Sequence, residues 1–167
     1  MKKALIAVLA CGSLLATSTP ALAHTTQAPK AALGPYGYGK VKLGMSAKKT
    51  KATGRVVLKM PVGEGTCSGW DLKAYPTGKN SVGLYISKRR GVAVIFAPKG
   101  VRTPEGIGIG STMKQIKKAY PGLKTAASGF PYVSVPGNPT AYYAFFASKQ
   151  GEIEELSLGL DTQDCVN

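Results

Sequence analysis

The sequence predicts an α+β fold: two tandem modules, each a helix followed by antiparallel strands, forming one sheet with the helices on one face. Three observations predict it. The segment Val41-Lys42-Leu43-Gly44-Met45-Ser46-Ala47-Lys48-Lys49-Thr50-Lys51 recurs 66 residues later as Ile107-Gly108-Ile109-Gly110-Ser111-Thr112-Met113-Lys114-Gln115-Ile116-Lys117. Each copy reads as a short alternating strand, a glycine turn, a hydroxyl residue and a helix bearing lysines. Each is followed by apolar runs separated by a polar turn, the pattern of a hairpin. Finally, Cys67 and Cys165 stand one in each half, the expected partners of a disulfide that ties the halves together.

Residues 1–23 read as a signal peptide. Met1-Lys2-Lys3 is positive, Ala4 to Ala16 carries no charge, and Ala21-Leu22-Ala23 supplies the small residues that a signal peptidase recognises. An alternative takes Val8-Leu9-Ala10-Cys11-Gly12 as a lipobox with Cys11 lipidated. The apolar run is too short for an ordinary membrane-spanning helix, and no later segment resembles a transmembrane span. Cleavage after Ala23 would place His24, the chain's single histidine, at the new terminus. A copper site built on a terminal amine and imidazole needs a second imidazole, which this sequence lacks. Residues 24–38 are therefore read as a flexible lead-in, irregular through Gly34-Pro35 and the glycine–tyrosine steps that follow.

The first module is placed at 39–100 and the second at 101–167, with Pro98-Lys99-Gly100 and Thr103-Pro104 marking the junction. In the second copy Thr112 and Gln115 fit a capping box, Met113, Ile116 and Tyr120 share one helical face, and Pro121-Gly122 stops the helix. Lys114, Lys117 and Lys118 then face away from the core. Strands are expected at Trp70 to Tyr75, Val82 to Ile86 and Val92 to Phe96 in the first copy. Their counterparts are Tyr132 to Val135, Ala141 to Ala147 and Ile153 to Leu160.

The hydrophobic-x-Gly-Met-Ser pattern at Leu43 to Ser46, weaker at Ile109 to Thr112, resembles the tandem modules of secreted beta-lactamase inhibitory proteins and of small outer-membrane assembly lipoproteins. The mature chain as a whole is similar to small secreted actinobacterial proteins of unknown function. The resemblance implies a helix-plus-sheet architecture and, by way of the inhibitors, a sheet face that binds a target enzyme. The chain departs from the inhibitors in having one cysteine per module, and Thr50 and Lys51 where apolar helix residues are expected.

Composition narrows the function classes. The chain has 22 basic and 8 acidic residues, a formal charge of +14; without Lys2 and Lys3 it keeps +12. The lysines and arginines crowd the first part of the chain, including Lys88-Arg89-Arg90, whereas Glu152, Glu154, Glu155, Asp161 and Asp164 collect near the end. Such a charge favours anionic partners. No nucleic-acid motif surrounds the basic run. Without a second histidine there is no serine or cysteine triad, and no cofactor or metal set is discernible. Gly106-Ile107-Gly108-Ile109-Gly110 before a helix resembles a phosphate cradle, but Lys40 and Lys42 occupy two of the matching positions, so a structural turn is expected. Glu64, Asp71 and Glu105 remain as carboxylates for a hydrolase with an unrecognised site.

The aromatic run Tyr142-Tyr143-Ala144-Phe145-Phe146 is apolar on both faces of a strand, so one set must meet the helices and the other lies open or covered. That other set is either Tyr143 with Phe145 or Tyr142 with Phe146; the expected binding surface takes Tyr143 and Phe145, extended by Trp70 and Tyr85, with Lys88, Arg89 and Arg90 as a basic rim. The sequence thus points to a secreted, monomeric, noncatalytic protein that binds an extracellular protein, such as an enzyme it inhibits. The alternative is a cationic envelope protein held by anionic cell-wall polymer.

Overall fold

A computed structural model describes residues 31–63 and 65–166. The expected signal peptide at 1–23 with Cys11, and also His24 and Glu64, lie outside the described residues. The chain is a mixture of helix and strand dominated by antiparallel sheet, with two short helices among the described residues.

Three two-residue strands open it: β1 (Leu33–Gly34), β2 (Gly37–Tyr38) and β3 (Val41–Lys42), paired in that order as a small antiparallel sheet. The expected flexible lead-in is therefore corrected for residues 33–38. Leu33 is fully buried, its N–H donates to the Arg102 carbonyl, and its own carbonyl accepts the Tyr143 hydroxyl at 2.7 Å. A buried leucine with both backbone groups bonded outweighs the local glycine and proline signals.

Helix α1 (Ala47–Ala52) follows, capped by the Ser46 hydroxyl, which accepts from the Lys49 N–H. Then come β4 (Val56–Met60), β5 (Cys67–Leu72), β6 (Leu84–Ser87) and β7 (Gly91–Phe96). Helix α2 (Met113–Ala119) has the expected capping box between Thr112 and Gln115. The chain ends in β8 (Lys124–Thr125), β9 (Pro131–Val135), β10 (Asn138–Ala147) and β11 (Ile153–Leu160). The large sheet has eight strands in the order β4-β5-β6-β7-β11-β10-β9-β8, so β7 and β11 join the two halves at its centre.

Residues 66 positions apart make matching bonds. Gly44 N–H donates to the Val92 carbonyl while the Val92 N–H donates to Met45; likewise Gly110 donates to Ile153, and Ile153 donates to Ser111. Each glycine turn thus clasps the start of a strand. In the first clasp Gly91 lies at φ +71°, and a Cβ there would sit 2.6 Å from the Gly44 carbonyl carbon, so only glycine fits. Thr50 and Ile116 are the fully buried residues of their helices. Thr50 takes an apolar position by donating its hydroxyl to the Ser46 carbonyl at 2.9 Å, which accounts for the departure at this site.

One row of register partners, Trp70, Leu84, Ile95, Leu158, Tyr143 and Val133, runs across six strands, and every member is buried. Against it lies Tyr120, just beyond α2, with ring centroids 5.9 Å from Tyr143 and 5.7 Å from Phe145. The Tyr120 hydroxyl donates within a cluster with Thr103 and Glu105, both at 2.6 Å; burial, then the bond to Glu105, raises its pKa. Cys67 and Cys165 form the expected disulfide, with Cα atoms 5.6 Å apart and a sequence separation of 98. No helix of the described residues is long and apolar enough to cross a membrane.

Edge strand β4 differs from the rest. Val57, Leu58 and Met60 are all exposed on a strand with a single neighbour.

Candidate binding face

Successive residues of a strand point to opposite faces, so the partners of the buried row's neighbours define the other side of the sheet. There Tyr85, Val94, Gly159, Tyr142 and Ser134 stand in one row, and Phe96, Ser157, Ala144 and Tyr132 in the next. A third pairing sets Glu155 opposite Phe146. These residues follow the strand alternation directly, because the positions on the other face are occupied by the fully buried Tyr143, Phe145, Leu156 and Leu158.

The expected surface must be corrected accordingly. Tyr143 and Phe145 are fully buried and Trp70 is 7 % exposed, its indole N–H donating to the Ser68 hydroxyl at 2.8 Å. They are core residues because Tyr120 and Leu33 lie against that side of β10. Tyr85 is half-buried on the opposite face, edge-on to Phe96 at 6.1 Å. Lys88, Arg89 and Arg90 are exposed in the β6–β7 turn, where the Ser87 hydroxyl accepts from the backbone N–H groups of Arg89 and Arg90. Cys67 is the register partner of Ser87, so this basic tip lies at the disulfide end of the sheet.

The face opposite Tyr143 is treated differently in its two halves. Over β4 and β5 the chain covers itself. Asp71, 5 % exposed, accepts from Lys59 Nζ at 3.3 Å, the Thr77 N–H at 3.0 Å, the Thr77 hydroxyl at 2.7 Å and the Gly83 N–H at 3.0 Å. Burial alone would raise its carboxyl, but the bonds from Thr77, Lys59 and Gly83 outweigh burial and hold it below its ordinary value. Lys59 Nζ also donates to the Thr77 and Gly78 carbonyls. Loop 73–83 is thereby pinned, and Val82 fills the space that a Cβ on Gly69 would need.

Over β9, β10 and β11 the face is a concavity of about 310 Å³. It is lined by Phe96, Phe130, Tyr132, Tyr142 and Phe146, with Glu155 as the charged lining residue. Phe130 and Phe146 pack at 4.3 Å between centroids, and Tyr132 meets Tyr142 edge-on at 6.4 Å. Tyr142 lies across β11 because position 159 is glycine: a Cβ there would come within 2.7 Å of the ring. Residues 126–130 form one wall. The other is the tail after β11, where Gln163 and Val166 line the concavity beside the disulfide at Cys165. Desolvation raises the carboxyl of Glu155 and the hydroxyl of Tyr142.

Comparison of the chain with protein-family models, curated proteins and solved structures finds no match to any of them.

The glycine turn and the described carboxylates Asp71 and Glu105 make bonds within the fold. The amides of Gly106, Gly108 and Gly110 donate to Thr103, Ser111 and Ile153, so the glycine turn has none of these to offer a phosphate. Asp71 is enclosed by its donors, and Glu105 accepts from Tyr120. Among the described residues one group has metal-ligand proximity, Cys67, Cys165 and Asp164, and its sulfurs are joined in the disulfide. Sequence reasoning missed Phe96, Phe130, Tyr132 and Glu155 as parts of the face. The Phe130-Pro131-Tyr132 step was the available signal, since it places two aromatic rings two residues apart at the start of β9, beside β10.

Proposed function

We propose that this is a secreted, noncatalytic binding protein that docks another extracellular protein in the aromatic concavity opposite Tyr143. The observation that carries the reading is the asymmetry of that face. One half is sealed by the chain's own loop, while the other leaves five aromatic side chains around an open hollow. Buried aromatic anchors at an interface contribute the largest share of binding energy, and their exposure without a partner is costly. The 66-residue recurrence and the two matching clasps support a tandem-module architecture with both helices on the Tyr143 side. That is the arrangement of the beta-lactamase inhibitory proteins, and enzyme inhibition is the form of binding it suggests. The disulfide suits an oxidising, extracellular setting.

The test is capture with the oxidised 24–167 chain from a secreted-protein extract at moderate salt. A discrete protein should be retained, and Phe130→Ala with Phe146→Ala should release it. Retention by that double variant would count against the concavity.

A second reading follows from the exposed Lys88–Arg90 tip, which does not line the concavity: the tip holds anionic cell-wall polymer. Retention on purified envelope that collapses as salt rises, and that weakens when the three residues are replaced by serine, is its expected signature.

A further inference from the structure

We propose that the group the docked protein inserts into the concavity is an arginine side chain. This rests on the docking reading and names the chemistry of its anchor. The hollow is unusual in a chain of charge +14: among the described residues that line it, none is lysine, arginine or histidine, and the charged member is Glu155. In the tail wall, Asp164 turns its carboxylate to the disulfide sulfurs, 3.8 Å from Cys165 Sγ, which leaves Glu155 as the charge in the hollow. An acidic or phosphorylated anchor would therefore meet Glu155 unpaired, whereas a cation finds a counter-charge.

The rings decide which cation. Aromatic faces attract a cation held over them, and a guanidinium, being flat and weakly hydrated, stacks on rings where an ammonium keeps its water. Phe130 with Phe146, and Tyr132 with Tyr142, present ring edges and faces at several angles, and the hollow's volume of about 310 Å³ suits a side chain rather than a helix. Glu155 lies opposite Phe146, so a guanidinium stacked on that ring has a carboxylate within its own register pair. The desolvation that raises the Glu155 carboxyl is the cost that such a cation offsets.

Acetyl-Gly-Gly-Arg-Gly-Gly amide, the same peptide with citrulline, and the same with lysine are titrated into the protein, and the aromatic proton shifts are followed by NMR. The arginine peptide is expected to shift the Phe130, Tyr142 and Phe146 rings saturably. Citrulline, the neutral isostere, is expected to bind at least about tenfold more weakly. Glu155→Gln, a substitution at an exposed position, should keep the spectral fingerprint of the fold and bring the two affinities within about twofold. Equal affinity for arginine and citrulline, or no saturable ring shift, overturns the proposal; a lysine peptide that binds as tightly overturns the choice of arginine. A captured protein lost with Phe130→Ala and Phe146→Ala but kept undiminished by Glu155→Gln removes the arginine anchor and leaves the docking reading standing. One kept by both removes the docking reading.

Discussion

The two halves of the sheet face opposite Tyr143 begin from the same geometry and end differently. Over β4 and β5 a charged knot of Asp71, Lys59 and Thr77 pins a loop onto the strands. Over β9 to β11 no such loop lies among the described residues, and the walls stand apart around rings that are half-buried or, at Phe130, exposed. The contrast separates residues that maintain the fold from residues available for contact, although both sets lie on one sheet.

The largest expected effect concerns the tail wall. Replacing Cys67 and Cys165 together by serine releases a cross-link spanning 98 residues and should cost about 4 to 5 kcal/mol of stability. Urea unfolding gives the size. Hydrogen exchange sharpens the comparison, because the open half should lose protection around Gln163 first, while Thr77 and Gly83 in the knot stay protected under native conditions.

Next come two neighbours on β10. Phe145→Ala empties a core position and should destabilise by about 3 to 5 kcal/mol. Phe146→Ala, one residue on and facing the hollow, should cost less than about 1 kcal/mol while weakening partner capture at least as strongly. Similar thermal losses in the two variants would erase the distinction between the faces.

The knot should yield about 2 kcal/mol on Asp71→Asn. Its pH signature has a definite sign. The folded carboxyl sits below its ordinary value, so the unfolded chain takes up the proton first as pH falls. Asp71 therefore contributes fully above the ordinary carboxylate range, and its contribution fades as pH drops through the lowered folded value. Urea midpoints at pH 7 and pH 3 should fall less in Asp71→Asn than in the parent protein. The smallest effect belongs to Lys88, Arg89 and Arg90: their replacement by serine should leave the urea midpoint within about 0.5 kcal/mol of the parent.

The elements most legible in the sequence were those coded locally. Thr112 and Gln115 announced the cap of α2, Ile153 to Leu160 gave β11 to the residue, and two cysteines allowed a single pairing once Cys11 was set aside. The face of β10 was illegible because Tyr142, Tyr143, Phe145 and Phe146 make both alternating sets apolar. What decides between them comes from far away in sequence: the Leu33 carbonyl and the Tyr120 ring claim one side. The same distance hid the knot, whose donors to Asp71 stand at positions 59, 77 and 83. It also hid β4, whose exposed valine, leucine and methionine show neither the alternation of a half-buried strand nor a turn signal.

That edge strand gives the chain's charge a second meaning. Val57, Leu58 and Met60 border a backbone edge that no strand of the described residues pairs, the kind of surface on which sheets of neighbouring molecules add to one another. The opposite edge, β8, is two residues long and carries Lys124, which blunts it. At β4, blunting falls to Arg55 and Pro61 at its ends and to the mutual repulsion of molecules that each carry a large positive excess. Such repulsion reaches about 10 Å at 0.1 M ionic strength and about 3 Å at 1 M. Colloidal stability is thereby tied to ionic strength, and a concentrated stock in high salt is where edge-to-edge growth would begin.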